Sequence, residues 1–575
     1  VASQPVISAS VIDLLNSVCG VWSSHLGVEL RIPPHVQVDD PRQLKEFCVG
    51  LLEKPETHPW KGVLSGVEER KVLSLAGSLF LFRKCLPAIW SEEEMWRSHR
   101  AAFIPECREE RSSLPSGYLQ HVRTLVAQQF PAGWDKGYSS CCWNSSPTVG
   151  ACTGSPRAAG GARALRPDRQ TFLRRMLGQE TFDVDNVVSY TVVPTGGKGR
   201  GVTIGSSDMG LLAPLHRKLY DHLSTLPWLL RGEAKPGRFR SFVRKQGEVF
   251  VSGDYESASD NLRVEVADVI LDVLQSSSDR VPASVWAAAR AFLRCRIKYP
   301  DIKIPLQSEG QLMGNLLCFP LLCLQNYAAF RWVFGTEVPV KINGDDIVFR
   351  STPSKYWEWA DFVSSVGLVL SRGKTLVSRK YFSLNSAFFW SRGVKPPRPV
   401  PVTRVSCFTK QFEDWGSLSG SFRSFTRGFH GEARIRAETI FLKWFRRRIT
   451  QSGRSVRRGL LIGAMKPSLQ RSGLWRRECW YFESVPAETD VLPISPSRLK
   501  WSSVPPGWKR VDARSARATG KVDFVAEGST PSKVAFRNSD SVEELQKTFW
   551  SDLVARTWQE PSTRGKLLSD YQLEV

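Results

Sequence analysis

The stretch KINGDDIVFR at 341–350 carries two adjacent carboxylates on a pattern that alternates with the period of a β-strand. Val338, Val340 and Ile342 fall on one side, Ile347 and Phe349 on the other. Such a pattern folds as a hairpin, and Gly344 eases the turn, so Asp345 and Asp346 stand side by side at its tip. Two like charges so close raise each other's energy unless a cation intervenes. A second acidic stretch, VFVSGDYESASDNL at 249–262, reads as a strand through Val249 and Val251 that ends at Asp254. An amphipathic helix follows, with Val266, Val269, Ile270, Val273 and Leu274 on one face and Asp260 or Asn261 as its N-cap. Were the two elements to lie side by side, Asp254, Asp345 and Asp346 would converge. Hard divalent cations, Mg2+ above all, suit such a cluster of carboxylate oxygens. Two such ions about 3.5–4 Å apart can clamp the attacking and leaving oxygens of a phosphoryl displacement. Taken singly, each aspartate is an ordinary turn or cap residue.

Charge points to the partner. Seventy-nine Lys and Arg against 56 Asp and Glu leave +23 over 575 residues, an imbalance that favours a polyanion without separating RNA, DNA or an anionic membrane. The stretch 441–480 holds eleven Lys and Arg and one acid, Glu478. Arg446, Arg447, Arg448, Arg454, Arg457 and Arg458 are interleaved there with Trp444, Trp475 and Trp480, a pattern suited to phosphate contact and base stacking. Twelve scattered cysteines give no zinc spacing; Cys141, Cys142 and Cys152 form only a loose cluster, and reduced thiols are the plain expectation. Residues 310–330 carry no charge, but Gln311, Asn315, Gln325, Asn326 and Pro320 interrupt them, so a helix buried in protein is expected rather than a membrane span. No signal peptide is visible, and a start at Val1 without Met leaves the true N-terminus open.

Residues 1 to about 130 carry helical periodicity, and 131–170, rich in Gly, Ala, Ser and Arg, predict a mobile loop. From about 500 to 540 Pro, Ser and Gly rise again, before a short helical end near SVEELQKTFWSDLVARTW.

The stretches SGDYESASDN, GQLMGN and INGDDIVF, in that order, resemble the A, B and C motifs of viral RNA-directed RNA polymerases. GNLLCFPLLCLQNY and RKYFSLNSAFFW are most similar to the ourmia-like group, the botourmiaviruses, of positive-strand RNA viruses; the resemblance covers about 195–395. It implies an α+β right-hand polymerase that replicates and transcribes a viral RNA genome in the host cytoplasm, alone or in a membrane-associated complex. The implied layout is an N-terminal region and fingers over 1–244, palm over 245–262 and 310–395, a fingers insertion at 263–309, a thumb over 396–500 and an extension over 501–575. The implied substrates are an RNA template, its product and ribonucleoside triphosphates, with two Mg2+ ions, or Mn2+, as cofactors.

Carried over residue by residue, Asp254 and Asp345 are the main metal ligands and Asp346 assists them. Asp260 accepts from the ribose 2′-hydroxyl, which penalises a substrate lacking it. Gly310 and Gly314 let the backbone approach the template or nascent pair, and Asn326 is either a buried core amide or a partner of Asp260. Lys374 protonates the departing pyrophosphate. Lys198 and Arg200, in the Gly-rich loop PTGGKGRGVTIG, neutralise the triphosphate, with Lys235, Arg238 and Arg240 lining the same entrance. Outside the resemblance, the basic stretch itself makes Arg446, Arg447, Arg448, Arg457 and Arg458 the expected RNA-binding residues. Two other readings stay open: a reverse transcriptase, which uses the same palm but which Asp260 and Gly344 oppose, and an inactive basic RNA-binding protein.

Overall fold

The acidic hairpin forms as its alternation requires. In the computed structural model the described residues are 7–486, except 88–89, 105–112, 166–167, 196–197, 302–303, 372–373 and 410–414, together with the backbone of 508–511, 524–526 and 533–535. The helix expected near SVEELQKTFWSDLVARTW and most of the extension over 501–575 lie outside the described residues. The strands run β1 (Val187–Thr195), β2 (Lys198–Gly205), β3 (Val249–Gly253), β4 (Arg296–Lys298), β5 (Val340–Asn343), β6 (Asp346–Ser351), β7 (Leu376–Ser378), β8 (Tyr381–Leu384), β9 (Ala387–Arg392) and β10 (Lys395–Val400). The chain divides into two units, one comprising 88–145 and 150–400, the other 1–87, 146–149 and 401–575.

The first unit is α+β. Its centre is an antiparallel sheet of order β5-β6-β3-β7, covered on both faces. Because side chains alternate along a strand, Val249 and Val251, Ile347 and Phe349, Val340 and Ile342 all enter one large core. That core also holds apolar faces of the helices Val264–Ser276, Cys318–Val333 and Pro353–Ser365. The alternate residues Phe250 and Val348 enter a second core with Phe239, Phe242, Phe382, Leu384 and Phe389, so the β10-β9-β8 sheet covers the other face. Thr352 caps the last of these helices by accepting from the Lys355 N–H, with Pro353 in the first turn. In helix Cys318–Val333, Pro320 lies in the first turn, where its missing N–H costs nothing, and the helix is almost wholly buried. Among the described residues no helix is long and apolar enough to cross a membrane.

One expectation needs correction here. The described residues of 131–170 are packed rather than a loose connection: Tyr138–Trp143 is helical, and Tyr138, Cys142 and Arg163 are buried. Asp135, fully buried, accepts from the Ser278 hydroxyl and from the N–H groups of Asp279, Arg280 and Val281. Burial alone would raise its carboxyl; those four donors outweigh burial and hold it below the usual range. In the stretch 263–309, helices share the large core and β4 pairs in parallel with β1.

The second unit is mainly helical, with a small antiparallel sheet in which Trp508–Val511 pairs with both Phe524–Ala526 and Lys533–Ala535. Ala9–Leu26 packs against Gly431–Trp444, with the Trp22 and Phe429 rings edge-on at 5.1 Å. The Ser78 hydroxyl accepts from the Thr403 N–H at 2.8 Å. The N-terminal 87 residues therefore fold with residues after 401, and 1–244 is not one body. The reason is physical: the first helix buries Leu14, Leu15, Val18 and Trp22, a stripe that needs an apolar partner however distant in sequence.

Candidate active site

The ladder between β3 and β6 sets the site. Gly253 stands opposite Ile347, so the next residues along, Asp254 and Asp346, leave the sheet at the same end. β5 and β6 pair through Asn343 and Asp346, which leaves Gly344 and Asp345 as the two-residue turn, with Gly344 at φ +68°. Asp345 is exposed, Asp254 and Asp346 half-buried. The three positions thus share one sheet end. Their side chains do not gather further: among the described residues no group of three or more His, Cys, Asp or Glu is arranged to hold a metal ion. Like charges so placed repel.

The chain after Asp254 runs beside 369–371. The Asp254 carbonyl accepts from the Ser371 N–H at 2.8 Å, and the Glu256 N–H donates to the Val369 carbonyl. This returns Lys374 to the site, its Nζ 3.9 Å from Asp254 Oδ2, with both side chains partly exposed.

Asp260 lies on a short helix, Ala258–Asn261, and does not cap the long one, whose N-cap is Arg263. Burial raises its carboxyl, only partly countered by the Ser259 hydroxyl at 2.9 Å. The B stretch wraps this residue. A Cβ at Gly310 (φ +69°) would stand 2.9 Å from the Asp260 carbonyl oxygen and 2.6 Å from a Phe103 ring carbon. Gly314 abuts Thr203 of β2 just as closely. Both glycines are there for close backbone approach, to protein in this case. Buried Cys318 lies in the field of both Asp260 and Asp345; burial, then these two charges, push its thiol up to about 12.

Lys198 and Arg200 belong to a strand rather than a loop, paired with Thr195 and Val193. Gly199 and Gly201 occupy the opposite face, and the Trp90, Met95 and Tyr190 side chains fill the space where their side chains would be. The alternation leaves Lys198 and Arg200 exposed on the other face. Lys235, Arg238 and Arg240 are exposed too, around the fully buried anchor Phe239.

Asn326 does not meet Asp260. Fully buried, it donates from Nδ2 to the Gly344 carbonyl at 3.0 Å and accepts at Oδ1 from the Tyr255 hydroxyl at 2.9 Å. Neither Tyr255 nor Cys323, whose sulfur accepts from the Gly344 N–H at 3.2 Å, stands out in the sequence. An aromatic beside Asp254 and a helical cysteine look like ordinary core.

The five arginines of the second unit separate. Arg446 and Arg447 are exposed, and Arg448 lies 5.2 Å from the Trp415 ring. Arg457 donates to the Ala464 carbonyl, and Arg458 to the carbonyls of Tyr481 and Val485. Glu478, the single acid of that stretch, is buried and accepts from the Ser455 hydroxyl and the N–H groups of Val456 and Arg457. Arg457 and Arg458 therefore brace the fold.

The RNA-dependent RNA polymerase of Ourmia melon virus (isolate Melon/Iran/VE9) is 36% identical to this chain over 177 residues, 26% of this chain and 21% of that protein. Over this stretch the chain resembles an ourmia-like viral RNA polymerase. The match spans about a fifth of the relative's length. No family model matches.

Proposed function

We propose that the chain is an RNA-directed RNA polymerase of an ourmia-like positive-strand RNA virus, joining ribonucleotides on an RNA template in the host cytoplasm. The observation that carries this reading is the β3–β6 register, which brings Asp254, Asp345 and Asp346 to one sheet end with Lys374 beside the first. The donor set fits Mg2+ chemically: three hard carboxylate oxygen donors at one place, whose repulsion a divalent cation would relieve. When bound there, two such ions supply Lewis-acid stabilisation to the attacking 3′-oxygen and the leaving pyrophosphate. Asp254, Asp345 and Asp346 would hold them, and Mn2+ could replace Mg2+.

The remaining roles belong to the chain's own groups. Lys198 and Arg200, on one strand face, neutralise the incoming triphosphate. Asp260, raised by burial, accepts from the 2′-hydroxyl. Lys374 gives its proton to the departing pyrophosphate. In this layout the β5-β6-β3-β7 sheet with its helices is the palm, the β1–β2 hairpin belongs to the fingers, and helices between Ser417 and Ser484 form the thumb, where Arg446 and Arg447 meet RNA phosphates.

The test is extension of a primed RNA template by the purified chain and by Asp345→Asn. Loss of one ligand should lower the rate by roughly three orders of magnitude while RNA binding persists. Unimpaired synthesis by the variant removes Asp345 from catalysis. RNA binding without extension in either protein would favour an inactive RNA-binding protein, and preference for deoxynucleotides a reverse transcriptase.

A further inference from the structure

We infer that Asn326, Tyr255 and Cys323 form a buried clamp that fixes the two acidic elements against each other; as positioning residues for nucleotidyl transfer, they rest on the polymerase reading above. The β3–β6 ladder ends at Gly253 opposite Ile347, one residue short of the carboxylates. Beyond that point the clamp takes over. The Tyr255 hydroxyl reaches Asn326 Oδ1 at 2.9 Å, and Asn326 Nδ2 reaches the Gly344 carbonyl at 3.0 Å. Tyr255 follows Asp254 in the chain and Gly344 precedes Asp345, so one amide ties the two motifs together, each contact one residue from a carboxylate.

The helix Cys318–Val333 presents this amide as part of a stripe. Phe319, Cys323 and Asn326 are spaced by four and three residues, hence on one face. The Cys323 sulfur takes the Gly344 N–H at 3.2 Å, while Phe319 packs where a Gly344 side chain would stand, 3.1 Å from its Cβ position. Both polar ends of Gly344 are therefore held by the same helix. The Asn326 amide donates to a carbonyl and accepts from a hydroxyl at once; leucine does neither, and an ionised aspartate only accepts. Asn326 and Tyr255 are both buried, so no water can replace a lost partner without space being made.

The experiment uses the full chain with Tyr255→Phe, Asn326→Leu, Asn326→Asp, Cys323→Ser and Cys323→Val. Mn2+ binding is followed by electron paramagnetic resonance, alongside template affinity and single-turnover nucleotide addition. Tyr255→Phe and Asn326→Leu should weaken Mn2+ binding and slow addition by about 10- to 100-fold, the scale of a sub-ångström to ångström misplacement. Asn326→Asp, whose buried carboxyl can keep a proton and donate it to the Gly344 carbonyl, should fall between wild type and Asn326→Leu. RNA affinity and nucleotide KM should stay within about twofold, as expected when positioning and not binding is lost. Cys323→Ser, which keeps an acceptor, should retain most activity that Cys323→Val loses.

Wild-type Mn2+ affinity and rate in both Tyr255→Phe and Asn326→Leu would overturn the clamp. Should Asn326→Leu fail to fold, Tyr255→Phe, lacking one oxygen atom, decides alone. A wild-type chain that binds Mn2+ through Asp345 yet never extends RNA would refute the polymerase reading, and the Mn2+ titrations would still judge the clamp.

Discussion

Replacing Gly310 by alanine tests whether the B stretch shapes the sugar site, and two other glycines calibrate the result. Gly310 stands at φ +69°, where a non-glycine residue costs roughly 1–2 kcal/mol. Its new Cβ would also lie 2.9 Å from the Asp260 carbonyl oxygen and 2.6 Å from Phe103, inside ordinary contact by about half an ångström or more. Overpacking of that kind adds roughly 1–3 kcal/mol, for a total of about 2–5. Gly247 shares the positive φ, +79°, with nothing within 4 Å, and so carries the backbone strain alone. Gly210 has neither strain nor a neighbour within 4 Å. At about 2 °C per kcal/mol for a unit of this size, Tm should fall by about 2–4 °C in Gly247→Ala and about 4–10 °C in Gly310→Ala. Gly210→Ala should leave it near wild type. Only Gly310→Ala displaces Asp260, so only it should narrow the preference for ribonucleotides over deoxynucleotides in primer extension. A Gly310→Ala protein that matches Gly247→Ala in both Tm and sugar preference refutes the close-approach argument.

Asp260→Asn should erase sugar discrimination and also change the pH dependence of stability. Burial raises the Asp260 carboxyl, so the folded state bears a cost for ionisation that is absent below the usual 3.8 and complete above the raised value. The asparagine variant, neutral throughout, should gain in Tm relative to wild type as pH rises from the acid range to neutrality; a constant difference would show that burial does not act on this carboxyl. Arg446→Gln with Arg447→Gln should reduce the slope of log affinity against log salt for duplex RNA by up to about 2, with Tm unchanged. Arg458→Gln, which loses two carbonyl contacts, should instead lower stability by about 1–3 kcal/mol, read as a fall in Tm, with little effect on the salt slope. The opposite pattern would reassign both sets.

What the sequence could show depended on how local the cause was. The hairpin tip was legible because period-two alternation and a glycine at the turn lie within ten residues, and Asp254 because Val249 and Val251 announce its strand. Pro320 posed no obstacle to a buried helix once its place in the first turn was known. Gly-Lys-Gly-Arg-Gly suits a turn, yet the stretch forms a strand of the β1–β2 hairpin, with Trp90, about a hundred residues upstream, covering Gly199. Residues 131–170 looked mobile by composition, yet the anchor at Asp135 closes on a turn some 140 residues later. Arginine charge suggested RNA at 457 and 458, where nearby carbonyls claim it. For the hairpin and for 131–170 the deciding partner lay far along the chain; for Arg457 it lay seven residues away, at a backbone carbonyl that carries no sequence signal.

The same distinction explains how the site can be built from residues that repel. Asp254, Asp345 and Asp346 are brought together by backbone hydrogen bonds and apolar burial, terms indifferent to carboxylate charge: β3 is buried along its whole length, and Ile347, Val348 and Phe349 are fully buried behind Asp346. Gly344 cannot retreat from its neighbours, since its N–H, its carbonyl and the space beside its Cα are all occupied by one helix face. Repulsion can therefore turn the carboxylates outward, as Asp345 is turned, without unmaking the turn that carries them. On the proposed polymerase reading, a fold that fixes the backbone would be loaded with a cation by rotation about side-chain bonds alone. Metal affinity should then respond to clamp residues that touch no metal, which is why Tyr255 and Asn326 are the informative positions.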